Sequence, residues 1–210
     1  MRTSLLDYAG YACPVEGLGP GRRGILWVRG CGRRCPGCIA PEMWEPGEAL
    51  PIEPLARELL PQLAGVDGLT ISGGEPFNQA AALCALIDRL REDVDVEVLV
   101  YTGFLLEELR AGGGDAAALL DRLDLLIDGP FMESAPNTRR WRGSDNQRVH
   151  LLSPRAGRYA AEAALPMPEP RPLQVQMVTP VSFRVIGIPR RGDVAAYRQA
   201  MAALREKVQE

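Results

Sequence analysis

Long apolar runs are missing from this sequence. No stretch of about 18 consecutive apolar residues occurs, which excludes a membrane-crossing helix. Residues 1–12 (MRTSLLDYAGYA) also lack the apolar core of a secretory leader, so the chain is expected in the cytosol. Strong charge is missing too. Lys and Arg number 24 against 27 Asp and Glu, a net charge of −3 that favours neither nucleic acid nor an anionic membrane. Lysine is almost absent: Lys207 is the only one, and the other 23 basic residues are arginine. Codon bias in a GC-rich genome accounts for that without a functional reading. Histidine is reduced to His150, which sits in Val149-His150-Leu151-Leu152 and reads as structural rather than as an acid–base catalyst. No internal repeat is present.

What is there suits a globular protein. The chain has 210 residues, 46 % of them hydrophobic and 24 % charged, enough for one domain with an appendage. Residues 1–23 read as irregular and rich in Gly and Pro. Apolar runs bounded by turn residues then predict buried strands at 25–28, 69–72, 96–101 and 125–127. Between them, helical spacing predicts helices over 52–64, 78–92, 104–111 and 115–122. This alternation predicts an α/β fold with a mainly parallel sheet, whose strands are buried on both faces. Residues 139–152 turn from polar to strand-like. A proline-rich linker follows, then β-rich runs at 173–178 and 181–188 and a helix at about 192–208. Polar motifs stand directly after each of the first four strands, where α/β proteins bind ligands.

The first motif is Cys31-Gly32-Arg33-Arg34-Cys35-Pro36-Gly37-Cys38, spaced C-x3-C-x2-C. Three thiolates within eight residues can wrap one metal centre, because the glycines let the loop turn tightly. In a reducing compartment such a cluster reads as ligands rather than disulfides. A zinc or redox-thiol loop is the plain alternative, but structural zinc normally closes its tetrahedron with four protein ligands. Three cysteines leave one iron of a [4Fe–4S] cube open to a small molecule. Cys13 and Cys84 read as small buried residues, with a fourth-ligand role for Cys13 as a minor alternative.

The spacing, placed after the first strand and followed by Thr70-Ile71-Ser72-Gly73-Gly74-Glu75-Pro76, resembles the radical SAM superfamily. More narrowly, the chain resembles the activating proteins of anaerobic ribonucleotide reductase, which are glycyl-radical activases. Gly19-Pro20-Gly21-Arg22, Cys35-Pro36-Gly37-Cys38, Trp44, Ser72-Gly73-Gly74, Tyr101-Thr102-Gly103, Asp128-Gly129 and Trp141-Arg142-Gly143-Ser144-Asp145-Asn146-Gln147 follow in that family's order, over residues 16–152. Two departures bear on the radical's recipient. Ile39 and Ala40 replace an aromatic residue and an asparagine after the last cysteine, and the chain runs 60 residues past His150.

The resemblance implies an open, partial (β/α) barrel at 1–152, with a C-terminal β/α extension at 153–210 packed on it. It implies a [4Fe–4S] cluster on Cys31, Cys35 and Cys38, reduced by an external one-electron donor of flavodoxin or ferredoxin type. S-adenosylmethionine (SAM) would chelate the open iron and be cleaved to a 5′-deoxyadenosyl radical, which takes a hydrogen from a glycine of a partner enzyme. Ser72, Gly73, Gly74, Glu75 and Pro76 would hold the methionine moiety, Glu75 facing its ammonium. By position Thr102 and Asp128 are candidates for its carboxylate and a bound cation. Trp44, Arg142, Asn146 and Gln147 are candidate substrate or partner residues, although Arg139, Arg140 and Arg142 read equally well as a solvated basic face. The chemistry needs no protein acid or base. Two other functions fit the same cysteines: a radical SAM enzyme acting on a small molecule or peptide, and an Fe–S sensor or electron-transfer module.

Overall fold

The computed structural model describes residues 4–179 and 182–190, together with 192, 193, 196 and 199. Strand β1 (Leu5–Val15) leads into β2 (Arg23–Val28), then β3 (Ala49–Pro51) and helix α1 (Ile52–Leu63). The pattern continues with β4 (Gly68–Gly73), α2 (Ala80–Arg91), β5 (Val98–Tyr101), α3 (Leu106–Gly112), α4 (Gly114–Leu120) and β6 (Leu125–Asp128). Then come β7 (Arg148–Leu151), a short α5 (Ala160–Ala163), and the hairpin β8 (Gln174–Thr179) and β9 (Ser182–Ile186). Among the described residues no helix is long and apolar enough to cross a membrane.

The fold is α/β around a seven-stranded mixed sheet, ordered β3-β1-β2-β4-β5-β6-β7. Its centre, β2-β4-β5-β6, is parallel, and antiparallel strands flank it on both sides. The pleat divides the central residues by a period of two. Leu26, Val28, Leu69, Ile71, Val98, Val100 and Leu126 join the helices in one apolar cluster. The intervening Ile25 and Trp27 face a second cluster, and Leu99, Leu125 and Ile127 a third. Each such side chain, removed from water, contributes roughly 1.5–3 kcal/mol.

Two segments differ from expectation. Residues 5–15 form a long strand where irregular chain is expected. The positive φ of Gly10 and register shifts at Tyr8/Gly10 and Ala12/Val15 break the alternation that marks a strand in sequence. The stretch after 153 opens with structure, whereas its proline-rich part at 164–173 is irregular. Residues 154–159 form a 3-10 turn that runs into α5, and Ala156 is fully buried beside Trp141. Arg155 fixes this turn through Asp124 (2.7 and 2.8 Å), an anchor that prolines conceal in a sequence reading. The two tail runs do form a hairpin, whereas the helix expected at about 192–208 falls largely outside the described residues.

Candidate functional site

Because β2, β4, β5 and β6 run parallel, the segments after them emerge at one edge of the sheet. There they line a cleft of about 560 Å³. Cys31, Cys35 and Cys38 line it from the loop after β2; all three are free thiols, half-buried. Gly37 takes a positive φ, which favours glycine at this turn of the loop, and a Cβ there would have to displace the Glu133 carboxyl at 2.6 Å. Cys38 N donates to Cys35 O at 3.1 Å, which tightens the turn.

The Ser72-Gly73-Gly74-Glu75 segment lies against this loop. Gly74 N donates to Val28 O (2.7 Å) and Glu75 N to Gly30 O (2.9 Å), while Cys31 N donates to Trp44 O (2.8 Å). The approach is too close for side chains. A Cβ on Gly73 would stand 2.5 Å from Val28 O, and one on Gly74 would stand 2.7 Å from Gly30 O. Here the glycine pair is required by contact between backbones.

Glu75 is buried, and both of its oxygens accept. Oε1 takes Thr102 Oγ1–H (2.8 Å) and Phe77 N–H (3.1 Å), and Oε2 takes Gly103 N–H (2.8 Å). Burial pushes its pKa up, against the pull of these donors. Glu75 therefore ties the end of β4 to the end of β5. Thr102 and Gly103 line the cleft with it.

Asp128 is not brought to the cleft; its neighbour Gly129 is. The Asp128 carboxylate is fully buried and accepts from Leu106 N (2.7 Å) and Arg148 Nε (3.0 Å). Burial alone would raise its pKa, but the bonds from Arg148 and Leu106 hold it below the usual carboxylate range. His150 Nε2 stands 3.0 Å from Asp128 Oδ2, without hydrogen-bond geometry. Pro76 is buried and does not line the cleft. Trp44 and Gln147 do line it, Gln147 accepting from Gly143 N (2.9 Å) and donating to Gly129 O (3.0 Å). Asn146 donates to Pro130 O (2.8 Å), and Arg142 lies in a separate groove beside α5. Cys13 is in β1, its Sγ donating to Gln62 O, and Cys84 packs within α2.

Two parts of the cleft were not legible. Arg33 reads as a spacer between cysteines, yet its guanidinium lies 4.2 Å over the Phe104 ring and its buried Nε–H has no acceptor. Residues 187–190 of the tail form another wall. No local pattern announces that contact, which joins positions about 150 residues apart in a chain of 210.

The donor set fits an iron–sulfur cluster. Burial pushes the Cys38 thiol up, against the pull of the nearby Ala40 backbone and Trp44 indole; the Cys35 and Cys31 sulfurs beside it add to the rise. Structural zinc closes its tetrahedron with four protein ligands, whereas the three cysteines that line this cleft leave one iron of a cubane open.

A family model described as a 4Fe-4S single cluster domain matches residues 17–150. The anaerobic ribonucleoside-triphosphate reductase-activating protein of Escherichia coli (strain K12) is 31 % identical over 143 residues, 64 % of this chain and 91 % of that protein. That of Vibrio cholerae serotype O1 is 33 % identical over 145 residues, with the same coverage of 64 % and 91 %. The pyruvate formate-lyase-activating enzyme of Staphylococcus aureus (strain USA300) is 37 % identical over 95 residues, 40 % of this chain and 38 % of that protein.

Proposed function

The chain belongs to the anaerobic ribonucleoside-triphosphate reductase-activating protein family, and from that membership we propose that it is a radical SAM enzyme that installs a glycyl radical on a partner enzyme. The observation that carries this reading is the convergence of three free cysteines, with no fourth, on the cleft formed with Gly73 and Gly74. Cys31, Cys35 and Cys38 would hold a [4Fe–4S] cluster. When bound, the cluster supplies the electron that splits SAM into methionine and a 5′-deoxyadenosyl radical.

The protein's own work is to bind, orient and exclude water. Gly73 and Gly74 bring bare backbone against the cysteine loop and line the cleft that would take the methionine moiety. The Glu75 carboxylate faces the cleft from its clamp and favours an ammonium there. Arg33, whose Nε–H lacks an acceptor, suits a carboxylate; Thr102 spends its hydroxyl hydrogen on Glu75 and its N–H on Ile127 O, so it positions Glu75 at the cleft rather than binding that carboxylate itself. Trp44 and Gln147 suit the substrate side. We place the radical domain at 1–152 as an open (β/α) barrel. The monotonic order β2-β4-β5-β6 supports it, because right-handed crossovers then put every helix on one face of the sheet. The described part of the extension, through residue 190, packs on that domain. The electron donor would be an external flavodoxin or ferredoxin.

The wall at 187–190 favours a second reading, a small-molecule or peptide substrate, because the tail narrows the opening. Anaerobic reconstitution, dithionite reduction and assay for 5′-deoxyadenosine test the shared chemistry. Product above a Cys35→Ala control is expected, and its absence would leave only an Fe–S sensor or electron carrier. A glycyl-radical signal on an added glycyl-radical enzyme is expected under the first reading; turnover without it supports the second.

A further inference from the structure

The tail reaches the cleft at a glycine. Gly187 follows β9, is half-buried, and lines the same cleft as Cys31, Cys38 and Gly73. It lies beyond residues 17–150, the part that matches the family, so the chemistry shared with the relatives does not require it.

The segment is seated beside the cysteine loop, on the residues that flank it. Ile186, directly before Gly187, is buried in one cluster with Trp27 and Met43, and Ala40 packs against that cluster two residues after Cys38. Arg184 holds the strand from behind, its guanidinium 4.3 Å over the Trp27 ring. On the other side Pro189 O accepts from Asn137 Nδ2 and from Arg171 Nη1, both at 2.9 Å. Gly187 is thus pinned between two anchors. No side chain fits at the position: φ is +131°, and a Cβ would stand 2.6 Å from Pro172 O and 2.8 Å from Leu173 Cδ2.

We infer that Gly187 is a hydrogen-atom donor in cis, a modification site that this chain presents to its own radical when no partner is bound. The inference rests on the radical reading above, which supplies the co-reactant. The C5′ radical of 5′-deoxyadenosyl takes one hydrogen atom from Gly187 Cα. The Cα–H bond breaks and a C5′–H bond forms. The products are 5′-deoxyadenosine and a Cα-centred radical on Gly187, with no further electron needed. A glycine suits the step because its Cα carries no side chain to hinder flattening, and the flanking amide nitrogen and carbonyl delocalise the unpaired electron. A partner's glycine segment must then displace or bypass residues 186–190.

The test uses the full chain, reconstituted anaerobically without partner and treated with dithionite and SAM. Electron paramagnetic resonance should show a doublet from the remaining α-hydrogen, and it should collapse in protein grown on [2-²H]glycine, with deuterium appearing in 5′-deoxyadenosine. Admitting oxygen then breaks the chain at the radical, so intact mass should show loss of the full-length species and a fragment ending at Ile186. Gly187→Ala is expected to abolish the fragment. Because that substitution strains the backbone, fragment mapping in the unsubstituted chain is the deciding measurement. Deoxyadenosine formed while the chain stays whole, or breakage at another glycine, overturns the inference and leaves the radical reading intact. No deoxyadenosine at all overturns both.

Discussion

At the scale of single residues, the site depends on groups that hold others. Glu75 accepts three donors from two strand ends, and a glutamine in its place offers one acceptor oxygen. Glu75→Gln is expected to cost about 1–3 kcal/mol, because at least one buried N–H or O–H loses its partner; chemical denaturation measures it. Trp44 carries a buried indole N–H with no geometric acceptor, and the sulfur it influences is that of Cys38. A ligating thiolate is a far stronger acceptor than a thiol. Trp44→Phe should lower the cluster's midpoint potential, since donors to sulfur favour the reduced state; a redox titration followed by electron paramagnetic resonance reads it. The family resemblance makes Asp128 a candidate ligand just after a strand, and the structure makes it the last residue of β6. Its carboxylate is instead taken by Arg148, a residue 20 positions on, which turn chemistry alone does not foretell. Its lowered pKa stabilises the fold above the unfolded carboxylate value, about 3.9, and that stability is lost as pH falls through the folded value. Asp128→Asn should flatten the acid limb of a stability–pH profile.

At the scale of elements, the turn after β4 is the most constrained piece. An added Cβ on Gly74 meets Gly30 O at 2.7 Å and Arg29 C at 2.8 Å, both backbone atoms that cannot rotate away. Gly74→Ala should therefore reduce the iron bound per chain on reconstitution, whereas Gly65→Ala, with nothing within 4 Å of the new methyl, should not. The turn was legible because glycine pairs after apolar runs are local signals. Strand β1 was not: its two bulges displace the apolar alternation, and only pairing with β2 makes those residues a strand. The turn at 154–159 was hidden for a similar reason. Prolines argue against regular structure there, and distant acids, Asp124 and Glu97, hold it in place through Arg155 and Arg158.

At the scale of the whole molecule, stability and chemistry sit at opposite ends of the sheet. Arg23 opens β2 and is buried, donating to Glu97 Oε1 (2.9 Å) and Thr70 Oγ1 (2.8 Å). The cysteine loop leaves β2 at its other end, about 16 Å along the strand. Glu97→Gln leaves a buried guanidinium without its counter-charge and should cost about 3–5 kcal/mol. The melting temperature should fall by about 10 °C, while iron content and 5′-deoxyadenosine yield per folded chain stay unchanged. The sequence by itself determined the parallel strands, the three cysteines and the glycine turn, because apolar runs, ligand spacing and turn residues act over a few positions. Only the tertiary structure decided that Arg33 faces the cleft, that Asp128 turns away from it, and that Gly187 closes it. Those outcomes depend on which distant groups the packed sheet and tail bring within a few ångströms, and loop closure over so many residues leaves no trace in local pattern.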